Sequence, residues 1–249
     1  MDTSLSDTPP RTTEARPAPD RRLPTGRVRR RAIRVAQALI AVMAGYFVLC
    51  LLLLGVYRFV PPPITGVQLQ RWVEARVAGR DFEIDKRRIP YARMPHSIRR
   101  AVVAAEDGRF WRHWGFDLKE MQVASAAVFD GEIPRGASTI TQQLLKNLFG
   151  CACRNPVRKF YDMALAVPAE LILGKERILE LYLNNVEWGD GIFGIEAAAR
   201  HHYGVGARSL SRAQAAGLAA LLPNPLRRTP ENTPEYRAEI LRRMSYRGW

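Results

Sequence analysis

Cysteine is scarce in this 249-residue chain, with three in all. Cys50 falls in a long apolar run, and Cys151 and Cys153 stand one residue apart. A disulfide across a single residue would be strained, and no second pair completes a zinc site. A disulfide scaffold is therefore excluded, and Cys151 and Cys153 read as incidental thiols. Acids are also few, 24 against 38 Lys and Arg, for a net charge of +14. No stretch alternates apolar and polar residues over a strand's length, and no internal repeat is visible. The expected class is mainly α. Ser-x-x-Lys is absent, which excludes a penicillin-type acyl-transfer site. There is no D-x-D of the kind that holds a metal for nucleotide-sugar transfer, and no H-x-x-x-H. One G-x-G-x-x-G, Gly189 to Gly194, follows a helical run, and Gln214 stands where a ribose-binding acid would be. A dinucleotide site is therefore rejected.

What is present begins with a run of 23 residues without a charge, Val35 to Tyr57. At about 1.5 Å per residue it spans roughly 34 Å, enough for a bilayer core of about 30 Å. A cleaved signal peptide would be shorter and end in small residues, whereas Arg58-Phe59-Val60-Pro61-Pro62-Pro63 follows here. The run is expected to be an uncleaved transmembrane helix. Before it, residues 1–34 are rich in Pro, Thr and Arg, with nine Arg against four acids. They are expected to form a disordered basic tail, placed in the cytoplasm by the positive-inside rule. Residues 58–249 then form an extracytoplasmic domain. Topology explains the basic tail, so nucleic acid is not an expected partner. The remaining +9 suits anionic lipid or a phosphate-bearing substrate.

Three stretches of the outer domain carry chemistry. The first is Ile98 to Asp117. Ile98, Ala101, Val102 and Ala105 make one apolar stripe, with Ser97 at the N-cap position. Glu106 continues that stripe at the negative end of the helix dipole, where burial and dipole both raise a carboxyl pKa. Such a group suits a general base or acid, although a helix that simply ends in polar residues has the same spelling. Asp107 follows, and Phe110, Trp111, His113 and Trp114 crowd the exit. The second stretch is Gly136 to Asn147. Thr139 and Gln142 are spaced as a capping box, and the helix start with its hydroxyls favours an anion. Gln142, Gln143 and Lys146 lie within one turn of one another. The third is Arg158 to Asp162, where Arg158 and Asp162 share a helix face, as an exposed ion pair also would. Pro168 is expected to kink or end that helix. Helices are expected over Leu118–Phe129, Ser138–Leu148, Arg158–Leu173, Lys175–Asn185, Ile195–Tyr203 and Ser211–Leu222, with a loop at 130–137.

Together AAEDGRFWRHWGFD, GASTITQQLLKN, RKFYD, ILELYLNNVEWGDGIFGIEAAARHHYG and LLPNP resemble the peptidoglycan glycosyltransferases of glycosyltransferase family 51, in their monofunctional form. The resemblance covers roughly residues 90–230. It implies a lysozyme-like helical domain held at the bacterial inner membrane with its catalytic side in the periplasm. It implies polymerisation of lipid II into glycan strands, with inversion and release of undecaprenyl pyrophosphate. Glu106 matches the general base, and Asp162 stands at the family's second carboxylate, which is usually Glu. Asp107, Phe110 and His113 match the rest of the first block. Ser138, Thr139, Gln142, Gln143, Lys146 and Asn147 match the donor-side block, and Arg158 and Lys159 the pyrophosphate-contacting pair. A divalent cation, magnesium or manganese, stays open as a helper. The implied partners are lipid II, the growing strand, the membrane and proteins of cell-wall synthesis or division. Pro168 and Gly174 also depart from the family pattern. Two other readings remain, a lysozyme-like glycan-cleaving enzyme and a catalytically weak scaffold of a cell-wall complex.

Overall fold

The computed structural model describes residues 26–129, 138–150 and 156–249. The loop at 130–137, the thiols Cys151 and Cys153 and the first 25 residues of the tail lie outside them. The chain divides into two compact units, Met1–Ala44 and Gly45–Trp249.

Helix α1, Gly26–Tyr57, begins nine residues before the uncharged run. Gly26–Arg34, expected as part of the disordered tail, is helical, since its Arg and Ala residues are good helix formers that prolong the apolar helix. In the first unit Val35, Leu39, Ile40 and Val42 are all exposed, Val42 to 70%. Water disfavours such a surface, and a bilayer suits it. Val28–Tyr57 is long and apolar enough to cross a membrane.

The second unit takes in the C-terminal half of α1. Tyr46, Phe47, Cys50, Leu54 and Tyr57 recur at helical spacing and face the domain; Cys50 and Leu54 are fully buried. The Tyr46 hydroxyl donates to the Phe149 carbonyl at 2.6 Å, and Tyr57 stacks on Phe149. The Arg177 guanidinium donates to the Tyr57 carbonyl at 2.9 Å. So the apolar helix is also a packed element of the domain.

The rest is mostly helical: α2 Gly66–Val77, α3 His96–Glu106, α4 Leu118–Phe129, α5 Ile140–Phe149, α6 Pro156–Leu173, α7 Lys175–Asn185, α8 Ile195–Tyr203, α9 Arg212–Ala219 and α10 Pro234–Tyr246. Three strands of two or three residues, β1 Asp85–Lys86, β2 Glu187–Gly189 and β3 Ile192–Phe193, pair in the order β1-β3-β2. Gly189 ends strand β2, so the G-x-G-x-x-G follows a strand and not the helical run expected; its glycines form the β2–β3 hairpin and lead into α8.

Local chemistry sets the helix ends. The start of α3 was expected at a Ser97 cap. Pro95 occupies the N-cap instead and no side chain caps the helix, because the fixed φ of proline already sets the entry. Asp117 caps α4, accepting from the Lys119 and Glu120 N–H groups. Thr139 caps α5 by accepting from the Gln142 N–H at 3.3 Å, but the reciprocal half of a capping box is missing. The Gln142 side chain accepts from Lys159 instead. Ser211 and Gln214 do form a full box on α9. Helix α6 runs to Leu173, the expected end, and keeps Pro168 inside it. The carbonyl that loses its partner is that of Ala164, an exposed position, while Leu165, Ala169 and Leu173 stay packed. Gly174 sits at φ +75°, a conformation that favours glycine.

The core lies where α3 meets α9 and α10, and where α5 meets α6 and α7. Ile98, Val102, Phe110, Leu144, Leu145, Leu165, Ile178 and Tyr182 are buried there. The ends of α3 and α5 therefore come together at one cavity.

Candidate active site

Glu106 is the last residue of α3 and is half-buried at a cavity of about 670 Å³. Ser138, Gln142, Gln143, Lys146, Arg158, Lys159 and Asp162 line the same cavity. Three separate stretches of sequence are thus joined, because α5 and α6 pack side by side across the end of α3.

The Glu106 carboxylate accepts from the Gln143 amide at 2.8 Å. Burial pushes its pKa up, and the Gln143 bond, Lys146 and Arg228 oppose that rise. The direction agrees with the sequence reading, but the surroundings differ. Of the aromatic crowd, Phe110 is fully buried while Trp111 and Trp114 are exposed, and none lines this cavity.

Facing Glu106 is a cationic wall. Burial lowers the pKa of Lys146, reinforced by Arg158, while Asp162 and Glu106 oppose it. Lys159 donates to the Ser138 hydroxyl at 3.0 Å and the Gln142 side-chain oxygen at 3.3 Å. Arg158 pairs with Asp162 one turn along α6. Burial raises the Asp162 pKa to about 6 against the pull of Arg158, Lys159 and Lys146. Asp162 is 5% exposed, so this is not the ordinary surface pair its spacing also allowed. A buried pair depends on good geometry to offset its desolvation.

Five of the residues carried over by resemblance lie elsewhere. Asp107 and Thr139 border a neighbouring cavity of about 320 Å³ that also touches Glu106, whereas Phe110, His113 and Asn147 line neither cavity. All five are buried. Asp107 accepts from His113 Nε2 at 2.9 Å and from the Ile140 N–H at 3.0 Å. It therefore ties the exit of α3 to the start of α5. The Thr139 hydroxyl donates to the Gly115 carbonyl at 2.8 Å. Gly115 needs to be glycine: its φ is +83°, and a Cβ would sit 2.9 Å from the Ala166 Cβ. Phe110 is core, with the Lys175 ammonium 4.2 Å from its ring centroid. Phe110→Ala is expected to cost about 3–5 kcal/mol of stability. Chemical denaturation would measure it, and turnover per folded molecule should change little. A large loss of turnover at unchanged stability would return Phe110 to the substrate.

Asp107, His113 and Asp117 bring potential metal-ligating atoms within 4.8 Å of one another. Their donor set is mostly engaged already. Both Asp107 oxygens contact His113, and Asp117 Oδ1 accepts two backbone N–H groups and faces Arg109 at 3.4 Å. The cluster ties the exit of α3 to the starts of α4 and α5, with His113 Nδ1 and Asp117 Oδ2 left without a hydrogen-bond partner among the described residues.

Several cavity residues escaped the sequence reading. Arg228, Tyr236 and Arg243 line the cavity from the loop after α9 and from α10. The Tyr236 hydroxyl and the Arg243 guanidinium each donate at 3.3 Å to the last-turn carbonyls of α3, those of Ala105 and Ala104. They satisfy acceptors that a helix end leaves open, right beside Glu106. The available signal was Pro234 after Thr233, followed by Tyr236, Ile240 and Met244 at helical spacing.

The sequence model of the family described as "Transglycosylase" matches residues 75–246. A "Biosynthetic peptidoglycan transglycosylase" of Pseudomonas fluorescens is 49% identical over 174 residues, covering 70% of this chain and 72% of that one. One of Pseudomonas putida is 43% identical over 219 residues, covering 86% and 91%. One of Ectopseudomonas mendocina is 48% identical over 176 residues, covering 71% and 73%.

Proposed function

The chain belongs to the transglycosylase family, and we propose that it polymerises lipid II into peptidoglycan strands with Glu106 as general base. The observation that carries this is the half-buried Glu106 carboxylate, its pKa raised, facing a wall of Lys146, Arg158 and Lys159 in one cavity. Glu106 takes the proton from the 4-hydroxyl of the acceptor's N-acetylglucosamine. That oxygen attacks C1 of the donor's N-acetylmuramic acid. The C1–O bond breaks, undecaprenyl pyrophosphate leaves with the electron pair, and the configuration at C1 inverts. The proton on Glu106 then returns to solvent. Lys146, Arg158 and Lys159 hold the leaving pyrophosphate, and Asp162 holds Arg158. Ser138 and Gln142 hold Lys159.

A divalent cation, magnesium or manganese, would find its carboxylate in Asp162 and would add positive charge against the leaving group. Asp162 borders the cavity but already holds Arg158 beside Lys146 and Lys159, so a cation there would have to share or displace that pair.

A cleaving enzyme would also use Glu106, as general acid, but cleavage of a polymer gives three clustered cations nothing to bind. The scaffold reading has less to rest on, since Asp162 keeps its Arg158 partner and α6 continues past Pro168 to Leu173. The purified chain should consume lipid II and leave a preformed glycan whole. Shortening of the glycan with no use of lipid II would reverse the assignment.

The N-terminal apolar helix fits a single-pass anchor. We infer that it lies in the inner membrane with its N-terminus in the cytoplasm, which brings the cavity to the lipid-linked substrates. A reporter fused after Trp249 should be active only outside the cytoplasm, and one fused before Arg21 only inside. The opposite pattern would overturn the topology.

A further inference from the structure

We propose that Tyr182 is a positioning residue, which fixes the Gln143 amide with its N–H toward Glu106 and so keeps Glu106 in the proton-accepting form. The inference rests on Glu106 being the base. Tyr182 lies on α7 and is fully buried. Its hydroxyl donates to Gln143 Oε1 at 2.8 Å, and Gln143 Nε2 donates to Glu106 Oε2 at 2.8 Å. Two bonds thus run in one direction from a core tyrosine to the reacting carboxylate.

The direction matters because an amide has two ends of opposite sense. With Nε2 toward Glu106, Gln143 stabilises the ionised carboxylate. With Oε1 toward it, two acceptors face each other, and only a protonated Glu106 is comfortable. Gln143 could adopt either orientation on its own. Tyr182 removes the choice: Gln143 Oε1 is the acceptor its buried hydroxyl reaches among the described residues, and an unmade bond there is costly. Burial, with Glu106 and Asp107 nearby, holds the phenol well above its ordinary pKa, so it stays a donor throughout the working range.

Other charges face Glu106 as well. Asp107 follows it on the chain, Lys146 faces it from α5, and Arg228 from the loop after α9. Arg243 of α10 shares the cavity, as do Arg158, Lys159 and Asp162 of α6. None of these is altered when the Tyr182 hydroxyl is removed, so its effect can be read separately.

Tyr182→Phe keeps the buried ring and deletes the hydroxyl. The acidic limb of the pH–rate profile on lipid II should move upward by about half to one pH unit. The rate would fall roughly three- to tenfold below the limb and recover to near wild type above it. A purely structural defect would lower the rate by one factor at every pH, and that result would overturn the proposal. Gln143→Met supplies a second readout that leaves the ring untouched. It should move the limb at least as far, and the double variant should move it no further than Gln143→Met alone. An unmoved limb in Gln143→Met, or additive shifts in the double variant, would also overturn it. Glu106→Gln separates the two levels. If that variant still polymerises, the base assignment itself fails. If it is inactive while the Tyr182→Phe profile overlays wild type, only the relay fails.

Discussion

Glu106→Gln is expected to lower glycan polymerisation by about 10²- to 10⁴-fold, the usual contribution of a positioned acid or base. The amide is nearly the same shape, and Gln143 Nε2 can still donate to its oxygen, so the fold should survive. Stability should hold or rise. Burial lifts the folded-state pKa of Glu106 above its unfolded value. Ionisation therefore costs folding stability once pH exceeds the unfolded value, and a neutral amide avoids that cost. The same shift predicts that the wild-type rate climbs with pH through a limb above the ordinary carboxylate range. Polymer above a few per cent of wild type in the variant would remove Glu106 from the base role.

Asp162→Asn should cost on the order of 100-fold, and Asp162→Glu should keep or raise the rate. Asp162 is buried against Arg158 and surrounded by Lys146 and Lys159. Removing its charge takes away the ion pair that orients Arg158, and a clamp misplaced by about 1 Å can cost that much. Glu keeps the charge and lengthens the reach. With a pKa of about 6, Asp162 also loses its hold on Arg158 as pH falls through that value. The wild-type acidic limb therefore carries two carboxylates, and Asp162→Asn should simplify it to one. Steady-state rates of the three proteins on lipid II, at matched folded fraction, decide the matter. If Asn matches wild type, the Asp162–Arg158 pair serves the fold alone.

Where end signals were strong, the sequence read well. Leu118–Phe129, Lys175–Asn185 and Ile195–Tyr203 are helices at the expected boundaries. Helix α10 escaped notice because Arg237, Arg242 and Arg243 crowd the stripe of Tyr236, Ile240 and Met244. The packed face of α1 was illegible for the opposite reason: a run with no polar residue offers no contrast between bilayer and core. Strands of two residues are too short to alternate. At the site, Gln143 and Lys146 on α5 and Arg158 and Asp162 on α6 line one cavity, as their helical spacing suggests, since periodicity fixes which side chains share a face. Asp107, Phe110 and His113 sit beyond the α-helix, around the short 3-10 turn Phe110–Arg112, where α-helical spacing no longer tells which side chains share a face. Their membership of the same block as Glu106 therefore said nothing about which of them faces the cavity. The chain from Tyr182 to Glu106 spans three helices, and a single sequence holds no local trace of it.

The most direct measurement is to give the purified full chain lipid II and follow polymer, linkage and lipid product together. The expected result is a glycan whose new bonds are inverted at C1, with one undecaprenyl pyrophosphate released for each disaccharide joined. Retained configuration, or polymer formed without matching release of the pyrophosphate, would contradict a single displacement driven by Glu106 and held by the Lys146–Arg158–Lys159 wall.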